Sequence, residues 1–291
     1  MFSTEEQCIK YLVNLKFKDG YKCGECGNDK YWLLSRRRVG CKKCKKQISI
    51  TAGTIFEQTN KSLSLWFRAI WFMVAQKNGI SAKGLQRIMG FGSYRTAWAW
   101  LHKLRMITVL SSRVKLNGKV EVDETLLGGN SGSKRGRGAE GKILVAIAVE
   151  VLTKGTGRVR LGIISDASRK SLRNFIANNI EEGSELMTDG WQSYKSIEGF
   201  KHTIIREDST NEKENLLPHV HRIASLLKRW LLGTHQNYVT GNKAQHYMDE
   251  FTFRYNRRKA NSRGLLFQRI LEQVVSHEPI TYAKVFGNAV K

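Results

Sequence analysis

The sequence predicts an α+β protein of several domains, and three observations support this prediction. Two closely spaced cysteine pairs near the N-terminus predict a small metal-stabilised module. Residues 60–110 have the apolar spacing of helices, whereas short β-rich segments alternate with helical ones after residue 116. At roughly 100 to 200 residues per domain, a chain of 291 residues has room for two or three domains.

Basic side chains greatly outnumber acidic ones. The 49 lysines and arginines against 25 acidic residues give a formal net charge of +24, which argues against an ordinary metabolic enzyme. Hydrophobic residues still make up 41% of the chain, which excludes wholesale disorder. On a folded protein this charge favours an anionic polymer as partner, because lysine and arginine neutralise phosphates and release counterions. Nucleic acid is therefore the first expectation, and a membrane surface is the second.

No membrane-spanning segment is predicted. The longest apolar stretch, residues 63–75, contains Arg68 and is shorter than the ~20 residues that cross a bilayer. The N-terminus, MFSTEEQ, lacks the basic and apolar regions of a secretory signal. We therefore expect a cytoplasmic, DNA-associated protein whose thiols stay reduced.

Four cysteines have the spacing of a zinc ribbon. Cys23 and Cys26 form one CxxC pair, Cys41 and Cys44 form another, and fourteen residues separate the pairs. Two such turns can direct four thiolates at one tetrahedral zinc ion. The alternative is a redox pair or free thiols, but no thioredoxin-like βαβ pattern surrounds them. The sequence predicts a ribbon over residues 21–52, with YWLLSRRRV and KQISIT as strands.

A short helix is predicted within residues 1–20, before the ribbon. Ser3 and Glu6 can form its capping box, and Cys8 lies on an apolar stripe that belongs to the core. Basic side chains crowd the ribbon, and their density beside a metal module favours phosphate contact over plain solvation. They are Arg36, Arg37, Arg38, Lys42, Lys43, Lys45 and Lys46.

Residues 60–110 predict a helix-turn-helix-like DNA-binding region. A long first helix buries an aromatic stripe, and a Gly-rich turn after the second leads to Ser93, a residue type that begins helices. In a helix-turn-helix module the second helix of the pair enters the major groove. Arg95, followed by Thr96, is then the candidate for base contact. A plain helical connector with Trp98 in the core is the alternative.

The second half predicts a ribonuclease-H-like fold with a mixed sheet over residues 116–285. Three strands come in close succession, KVEVDET, ILVAIAVEVL and RVRLGIIS, and the helix SRKSLRNFIANNI follows. The strand ELMTD, a short helix, the strand HTIIRE and a long helix from about Leu217 complete the order βββαβαβα. In this fold, acidic side chains at the ends of neighbouring strands converge on divalent metal.

Two aspartates stand where that fold needs them. Asp123 is predicted to end the first of these strands, and Asp189 the fourth. Because successive strand residues face opposite sides of a sheet, Asp123 and Glu124 cannot both line one pocket without a bulge, and we favour Asp123. Either aspartate alone also suits a turn, so the two together are stronger evidence than one.

Four segments are distinctive in combination. They are VEVDETLLGG at 120–129, TDGWQSY at 188–194, VHRIASLLKRWLLGTHQ at 220–236 and DEFTFRYNRR at 249–258. With them, nearly the whole chain resembles the insertion-sequence transposases that carry an N-terminal zinc ribbon and a compact catalytic domain of the DDE type. The resemblance implies that Asp123 and Asp189 are the two metal-binding aspartates of that family.

The third acidic position departs from the family's usual glutamate. Matching SLLKR places His221 there, and Lys228, two helical turns along the same face, matches the family's basic residue. His219 is a nearby competitor, whereas Glu212 and Glu214 lie off that face. An imidazole in place of a carboxylate should weaken Mg²⁺ binding and shift the preference toward Mn²⁺.

The resemblance implies a DNA transposase. In the family, water cleaves DNA at the transposon end and the freed 3′ hydroxyl then attacks target DNA, with two metal ions assisting. Lys228 would hold DNA near the metals, and Arg254, Arg257 and Arg258 either extend that track or form a solvated helix end. The implied partners are double-stranded transposon ends and target DNA, together with a second copy of the chain or a larger assembly.

Three other interpretations stay open. One is a zinc-ribbon and helix-turn-helix regulator with a noncatalytic C-terminal domain. Another is a ribonuclease-H-fold nuclease without strand transfer, and the third is a transposase disabled by loss of its glutamate. Residues 136–141, GRGAEG, fit GxGxxG only literally, because dinucleotide binding needs those glycines to open a helix. We interpret that loop as a basic hairpin that touches DNA, or as a solvated turn.

Overall fold

In the computed structural model, residues 2–110, 112–128, 142–195, 197–205, 216–239 and 241–287 are described. The chain divides into two compact units, Met1–Thr108 with Ala260–Lys291, and Val109–Lys259. The catalytic domain predicted over 116–285 therefore runs past the second unit, because the C-terminal helices pack within the first. Apolar periodicity predicts that a helix buries one face, but it does not predict which neighbour covers that face.

Helices and strands follow closely the order that the sequence predicts. Up to residue 110 they are α1 (Glu5–Lys16), β1 (Tyr31–Leu34), β2 (Arg38–Cys41), β3 (Gln47–Ser49), α2 (Leu63–Ala75), α3 (Ala82–Met89) and α4 (Tyr94–Met106). Beyond it they are β4 (Lys119–Leu127), β5 (Ile143–Val151), β6 (Thr156–Ile164), α5 (Arg169–Asn179), β7 (Glu185–Thr188), β8 (Lys201–Ile204), α6 (Pro218–His235), α7 (Ala244–Asn256), α8 (Arg263–Ser276) and α9 (Tyr282–Phe286).

The capping box of α1 lies one residue later than predicted. The Gln7 amide N–H donates to Thr4 Oγ1, and the Thr4 amide N–H donates to Gln7 Oε1, both at 3.3 Å. The prediction of Ser3 and Glu6 was wrong because both pairs fit the same spacing, and the sequence alone does not separate them. Cys8 is fully buried, as its apolar stripe predicts.

The ribbon is a three-stranded antiparallel sheet in the order β1-β2-β3. The segment YWLLSRRRV is a hairpin and not one strand. Arg36 and Arg37 have φ values of 54° and 58°, and this left-handed backbone reverses the chain between β1 and β2. Two of the residues predicted to contact DNA, Arg36 and Arg37, therefore lie in the hairpin turn.

The middle helices α2, α3 and α4 have the predicted helix-turn-helix-like order. Ser93 begins α4, since its hydroxyl accepts from the Arg95 amide N–H at 3.2 Å. Gly90 ends α3 in the left-handed conformation, at a φ of 65° that glycine adopts without strain. Trp66 of α2 stacks on Trp100 of α4 with 3.5 Å between ring centroids, which joins the two helices through the core.

The second unit has a ribonuclease-H-like five-stranded sheet in the order β6-β5-β4-β7-β8. Strands β4, β5 and β6 pair antiparallel, whereas β7 and β8 continue the sheet in parallel with β4. The mixed sheet is confirmed, with β4 at its centre. Asp123 was predicted to end the first strand, but β4 runs on to Leu127 because residues 124–127 stay paired with β5.

Each face of this sheet is covered by helices, and β4 contributes side chains to both. Val122 packs in an apolar cluster with Leu172 and Ile176 of α5. Leu127, five residues on, packs in the opposite cluster with side chains of α6 and α7. The odd-numbered residues of β4 therefore face α6. Within the part of the chain described, no helix is long and apolar enough to span a membrane.

Candidate active site and zinc-binding cluster

The four cysteines of the ribbon come together as one cluster. Cys23 Sγ lies 3.5 Å from Cys44 Sγ, and Cys26 Sγ lies 3.6 Å from Cys41 Sγ. All four sulfurs lie within 4.8 Å of one another. Tetrahedral zinc with Zn–S bonds of about 2.3 Å places neighbouring sulfurs about 3.8 Å apart, so the arrangement fits a structural zinc ion.

Backbone N–H groups favour the thiolate form of Cys23 and Cys41. The Lys46 N–H lowers the pKa of Cys44, but desolvation and the neighbouring sulfurs outweigh it and raise that pKa to about 12. The N–H groups of Cys26 and Glu25 lower the pKa of Cys23. Burial opposes ionisation of Cys41, but the N–H groups of Cys44 and Lys43 outweigh it, and the pKa of Cys41 falls to about 6. Because the thiolate is the form that binds metal, the loop backbone favours the metal-binding state.

Among the basic residues of the ribbon, exposure differs. Arg36, Lys42 and Lys43 are exposed, as contact with phosphate requires. Arg38 is also exposed and donates to Gln47 Oε1 at 3.4 Å, whereas the half-buried Arg37 donates to the Lys61 carbonyl at 2.9 Å. The side chain of Arg37 thus joins the ribbon to the chain before α2, which gives it a structural contact.

Other predicted DNA contacts also have partners inside the protein. The guanidinium of Arg95 lies over the Phe286 ring of α9, 4.4 Å from its centroid. Arg257 lies over the Phe253 ring at 4.2 Å, and Arg258 donates to the Gly157 and Thr156 carbonyls. These contacts favour packing over DNA binding for the two arginines at the end of α7.

Asp123 lies in β4, and Asp189 directly follows β7, the parallel neighbour of β4. The register of β4 and β7 pairs Glu121 with Met187 at the end of the ladder. Asp123 lies two residues further along β4, and Asp189 lies directly after the last residue of β7, so continuation of that register would set the two aspartates side by side. Parallel strands lie about 4.8 Å apart, which is a suitable spacing for carboxylates that share divalent cations.

His221 approaches this pair from α6. Its Nε2 lies 3.3 Å from Oδ2 of Asp123, and the other carboxylate oxygen, Oδ1, accepts from the Glu124 amide N–H at 2.7 Å. Asp189 Oδ1 accepts from the Trp191 amide N–H at 3.1 Å, which holds the turn after β7. Of the three residues that the sequence predicts as metal ligands, His221 therefore contacts Asp123, and Asp189 is near enough to raise the pKa of Asp123.

Burial and the neighbouring carboxylates dominate the electrostatics of Asp123. Burial raises its pKa to about 6, against the smaller lowering effect of the Glu124 amide N–H. The carboxylates of Glu124 and Asp189 raise it further, whereas His221 lowers it. A divalent cation would offset both the burial and the repulsion, so the arrangement favours cation binding.

The acidic site is wider than the cysteine cluster. Within the described residues, only the four cysteines form a set of three or more potential ligands within 4.8 Å of one another. Asp189 and His221 therefore do not close around one point with Asp123, although Asp123 interacts electrostatically with both. Glu212 and Glu214, together with the loop at 136–141, lie outside the described residues.

Glu124 faces the opposite side of the sheet from Asp123. Tyr194, which is fully buried, donates its hydroxyl proton to Glu124 Oε2 at 2.7 Å. Burial and the Glu124 carboxylate raise the pKa of Tyr194 well above its usual range, so the phenol stays protonated and continues to donate. Tyr194 was not among the residues predicted from the sequence, and its place in the segment TDGWQSY was the available signal.

The outer face of α6 is basic and exposed. Lys228 lies two turns beyond His221, and Ser225 lies between them. The exposed polar side chains of this stretch are His221, Arg222, Ser225, Lys228 and Arg229. DNA that reached the aspartates along α6 would find positive charge beside them.

His219 does not compete with His221 for Asp123. Its Nδ1 lies 2.7 Å from Oε1 of Glu121, and its amide N–H donates to Oε2 of the same carboxylate at 2.9 Å. Both histidines were candidates from the sequence, whereas Glu121 was not. Residues 219 and 221 of the helix thus meet residues 121 and 123 of the strand in two parallel contacts.

Mn²⁺ should stabilise the protein more at pH 7.5 than at pH 5. The folded-state pKa of Asp123, about 6, lies above its ordinary value of 3.8. Without metal, the folded state therefore gains stability from this group as the pH falls through 6, and loses it as the pH rises. Because Mn²⁺ binds the ionised carboxylate, calorimetry should show a larger Mn²⁺-induced rise in Tm at the higher pH. Asp123→Asn serves as the control and should remove the difference, whereas an equal rise at both pH values in the unsubstituted protein would exclude Asp123 as a ligand.

Comparisons with known proteins agree with this geometry. Residues 115–256 match the ISXO2-like transposase domain, and residues 3–47 match the transposase zinc-ribbon domain. A protein of Halobacterium salinarum, described as an uncharacterized protein in transposable element ISH50, is 25% identical over 280 residues. That match covers 87% of this chain and 91% of the relative. The chain belongs to the insertion-sequence transposases that join an N-terminal zinc ribbon to a DDE-type domain.

Proposed function

We propose that the protein binds transposon ends, cleaves DNA there and joins the freed strand to target DNA by metal-dependent phosphoryl transfer. One observation carries the proposal. Asp123 lies in β4, Asp189 directly follows the adjacent parallel strand β7, and His221 Nε2 lies 3.3 Å from Asp123 Oδ2. A regulator that only bound DNA would have no use for two aspartates and a histidine gathered beside a basic helix.

The width of the acidic site suits two divalent ions better than one. Asp123, Asp189 and His221 would hold these ions, and Asp189 and His221 need not approach each other. The bound ions would supply Lewis-acid stabilisation of the charge that develops on the attacking and leaving oxygens. The Glu124 amide N–H donates to Oδ1 of Asp123, and this hydrogen bond would keep the Asp123 carboxylate in place between Asp189 and His221.

DNA binding is assigned to two basic surfaces. One is the exposed face of α6 around Lys228, which would hold the phosphates next to the site of cleavage. The other is the ribbon surface with Arg36, Lys42 and Lys43, which would hold DNA near the transposon end. Contacts of this kind make affinity fall steeply with salt concentration. Since two transposon ends must be held together, we expect a homodimer or a larger assembly on DNA.

His221→Ala should abolish cleavage and leave DNA binding intact, because it removes a metal ligand but no lysine or arginine. His221→Glu should restore activity and shift the metal preference from Mn²⁺ toward Mg²⁺, since a carboxylate is the harder ligand. Both variants would be assayed for strand cleavage and for DNA affinity. Full cleavage by His221→Ala would remove His221 from the site.

The function is tested by cleavage of a labelled duplex that carries the inverted repeat flanking the coding sequence. The protein should cut at the end of the repeat in Mn²⁺ and not in a chelator, and a scrambled duplex should resist cutting. Binding without cleavage would identify a regulator or a disabled transposase. Cleavage at structured DNA irrespective of the repeat would identify a nuclease.

A further inference from the structure

Glu121 is a buried acidic residue of β4 that lies against the start of α6. It is not among the residues assigned to the reaction. Its side chain is only 2% exposed, and it receives three hydrogen bonds from the first turn of the helix. The amide N–H groups of His219 and Val220 donate to Oε2 at 2.9 and 2.8 Å. The His219 imidazole contacts Oε1 through Nδ1 at 2.7 Å.

The helix needs this carboxylate because its own sequence supplies no cap. Leu217 occupies the N-cap position without a side-chain hydrogen bond, and Pro218 follows it at the first helical position. The first amide groups of a helix have no partner within it, and their partial positive charge attracts an anion. Glu121 supplies both the acceptor and the charge from the neighbouring strand.

The position of Glu121 connects the cap to the candidate active site. Glu121 and Asp123 are two residues apart on the face of β4 that meets α6, and His219 and His221 are two residues apart on the helix. The contact between Glu121 and His219 therefore determines how far α6 slides along β4 and how it is rotated. Both quantities set the distance of 3.3 Å between His221 and Asp123.

We propose that Glu121 is a positioning residue that locks the first turn of α6 onto β4 and thereby places His221 and Lys228 at the reacting phosphate. The role rests on the proposed function, since it acts through His221. Outer groups that orient metal ligands commonly contribute 10- to 100-fold to metal affinity or activity.

Glu121→Gln keeps the shape of the side chain but removes its charge and one of its two acceptor oxygens. We expect kcat for cleavage to fall about 10- to 100-fold, the Mn²⁺ concentration for half-maximal activity to rise, and KM for DNA to stay unchanged. A merely destabilising substitution would lower the active fraction and leave the Mn²⁺ midpoint where it was. Glu198→Gln, at a side chain that is 93% exposed, is the matched control and should change none of these.

A second readout does not depend on activity. Hydrogen exchange of residues 217–224 should accelerate in Glu121→Gln, because the His219 and Val220 amide groups lose their charged acceptor, and exchange in α5 should not change. If Glu121→Gln does not fold, His219→Ala carries the test, since it removes the imidazole contact and keeps both amide bonds. His219→Ala should raise the Mn²⁺ midpoint by a smaller factor.

The role of Glu121 would be overturned if Glu121→Gln changed neither the Mn²⁺ midpoint nor the hydrogen exchange in the first turn of α6. Where Glu121→Gln is not folded, the same result in His219→Ala would overturn it. If the unsubstituted protein neither binds Mn²⁺ nor cleaves DNA, the proposed function fails. The exchange measurement still decides separately whether Glu121 holds the helix.

Discussion

Asp123→Asn should reduce DNA cleavage about a thousandfold or more. Stabilisation of a phosphoryl-transfer transition state by metal ions is worth several kcal/mol, and each ~1.4 kcal/mol corresponds to a factor of ten in rate. The amide keeps an oxygen that can accept from the Glu124 N–H group, so we expect the fold to persist. Single-turnover cleavage of the labelled end duplex measures the loss.

The same substitution should stabilise the metal-free protein at pH 7.5. Burial and the nearby carboxylates raise the pKa of Asp123 to about 6, so its ionised form opposes folding above that pH. Loss of activity with a gain in stability separates a functional carboxylate from a structural one. Cleavage within a few-fold of the unsubstituted protein, with Glu198→Gln as the reference, would remove Asp123 from the site.

Cys41→Ser should unfold the ribbon and abolish the affinity of the protein for transposon ends. Cys41 is fully buried, and its sulfur lies within hydrogen-bonding distance of the Lys43 amide and of Asn28 Nδ2. Structural zinc sites contribute about 10 to 16 kcal/mol of binding energy that is available to folding, far more than so small a sheet gains from its own core. We expect the bound zinc to fall from one ion per chain to none.

Zinc analysis and end-binding affinity measure this effect, and Cys8→Ala is the matched control. Cys8 is the remaining cysteine of the chain and is buried away from the cluster, so its substitution should leave zinc content unchanged. Mn²⁺ binding to the second unit should survive in Cys41→Ser. Retention of one zinc ion and full end affinity by Cys41→Ser would contradict a structural zinc ribbon.

Features that depend on local spacing were predictable from the sequence. The two CxxC pairs predict the cluster because each turn constrains its own two sulfurs. Alternation along a strand predicts that Asp123 and Glu124 face opposite sides, and the structure places them against His221 and Tyr194 respectively. The order of strands and helices predicts the mixed sheet, since three hairpin-linked strands followed by crossovers leave few arrangements.

Features that depend on contacts between distant segments were not predictable. In the sequence, Glu121 has no feature that distinguishes it from other strand residues. It becomes the N-terminal cap of α6 only because α6 packs against β4. The packing of α8 within the first unit, where Phe267 lies 5.8 Å from Phe67 between ring centroids, has no local signal. The sequence predicts an exposed Arg95 at the start of α4, whereas in the structure its guanidinium lies over the Phe286 ring of α9.

Strand joining tests the proposed reaction most directly. A duplex ending in the exposed 3′ hydroxyl of the inverted repeat would be incubated with the protein, a plasmid target and Mn²⁺, and the junctions would be sequenced. We expect covalent joining of the repeat end to the plasmid by the unsubstituted protein and none by Asp189→Asn. Specific binding of the duplex without any joined product, under conditions in which the zinc ribbon is intact, would contradict a transposase that cuts and joins DNA at Asp123 and Asp189.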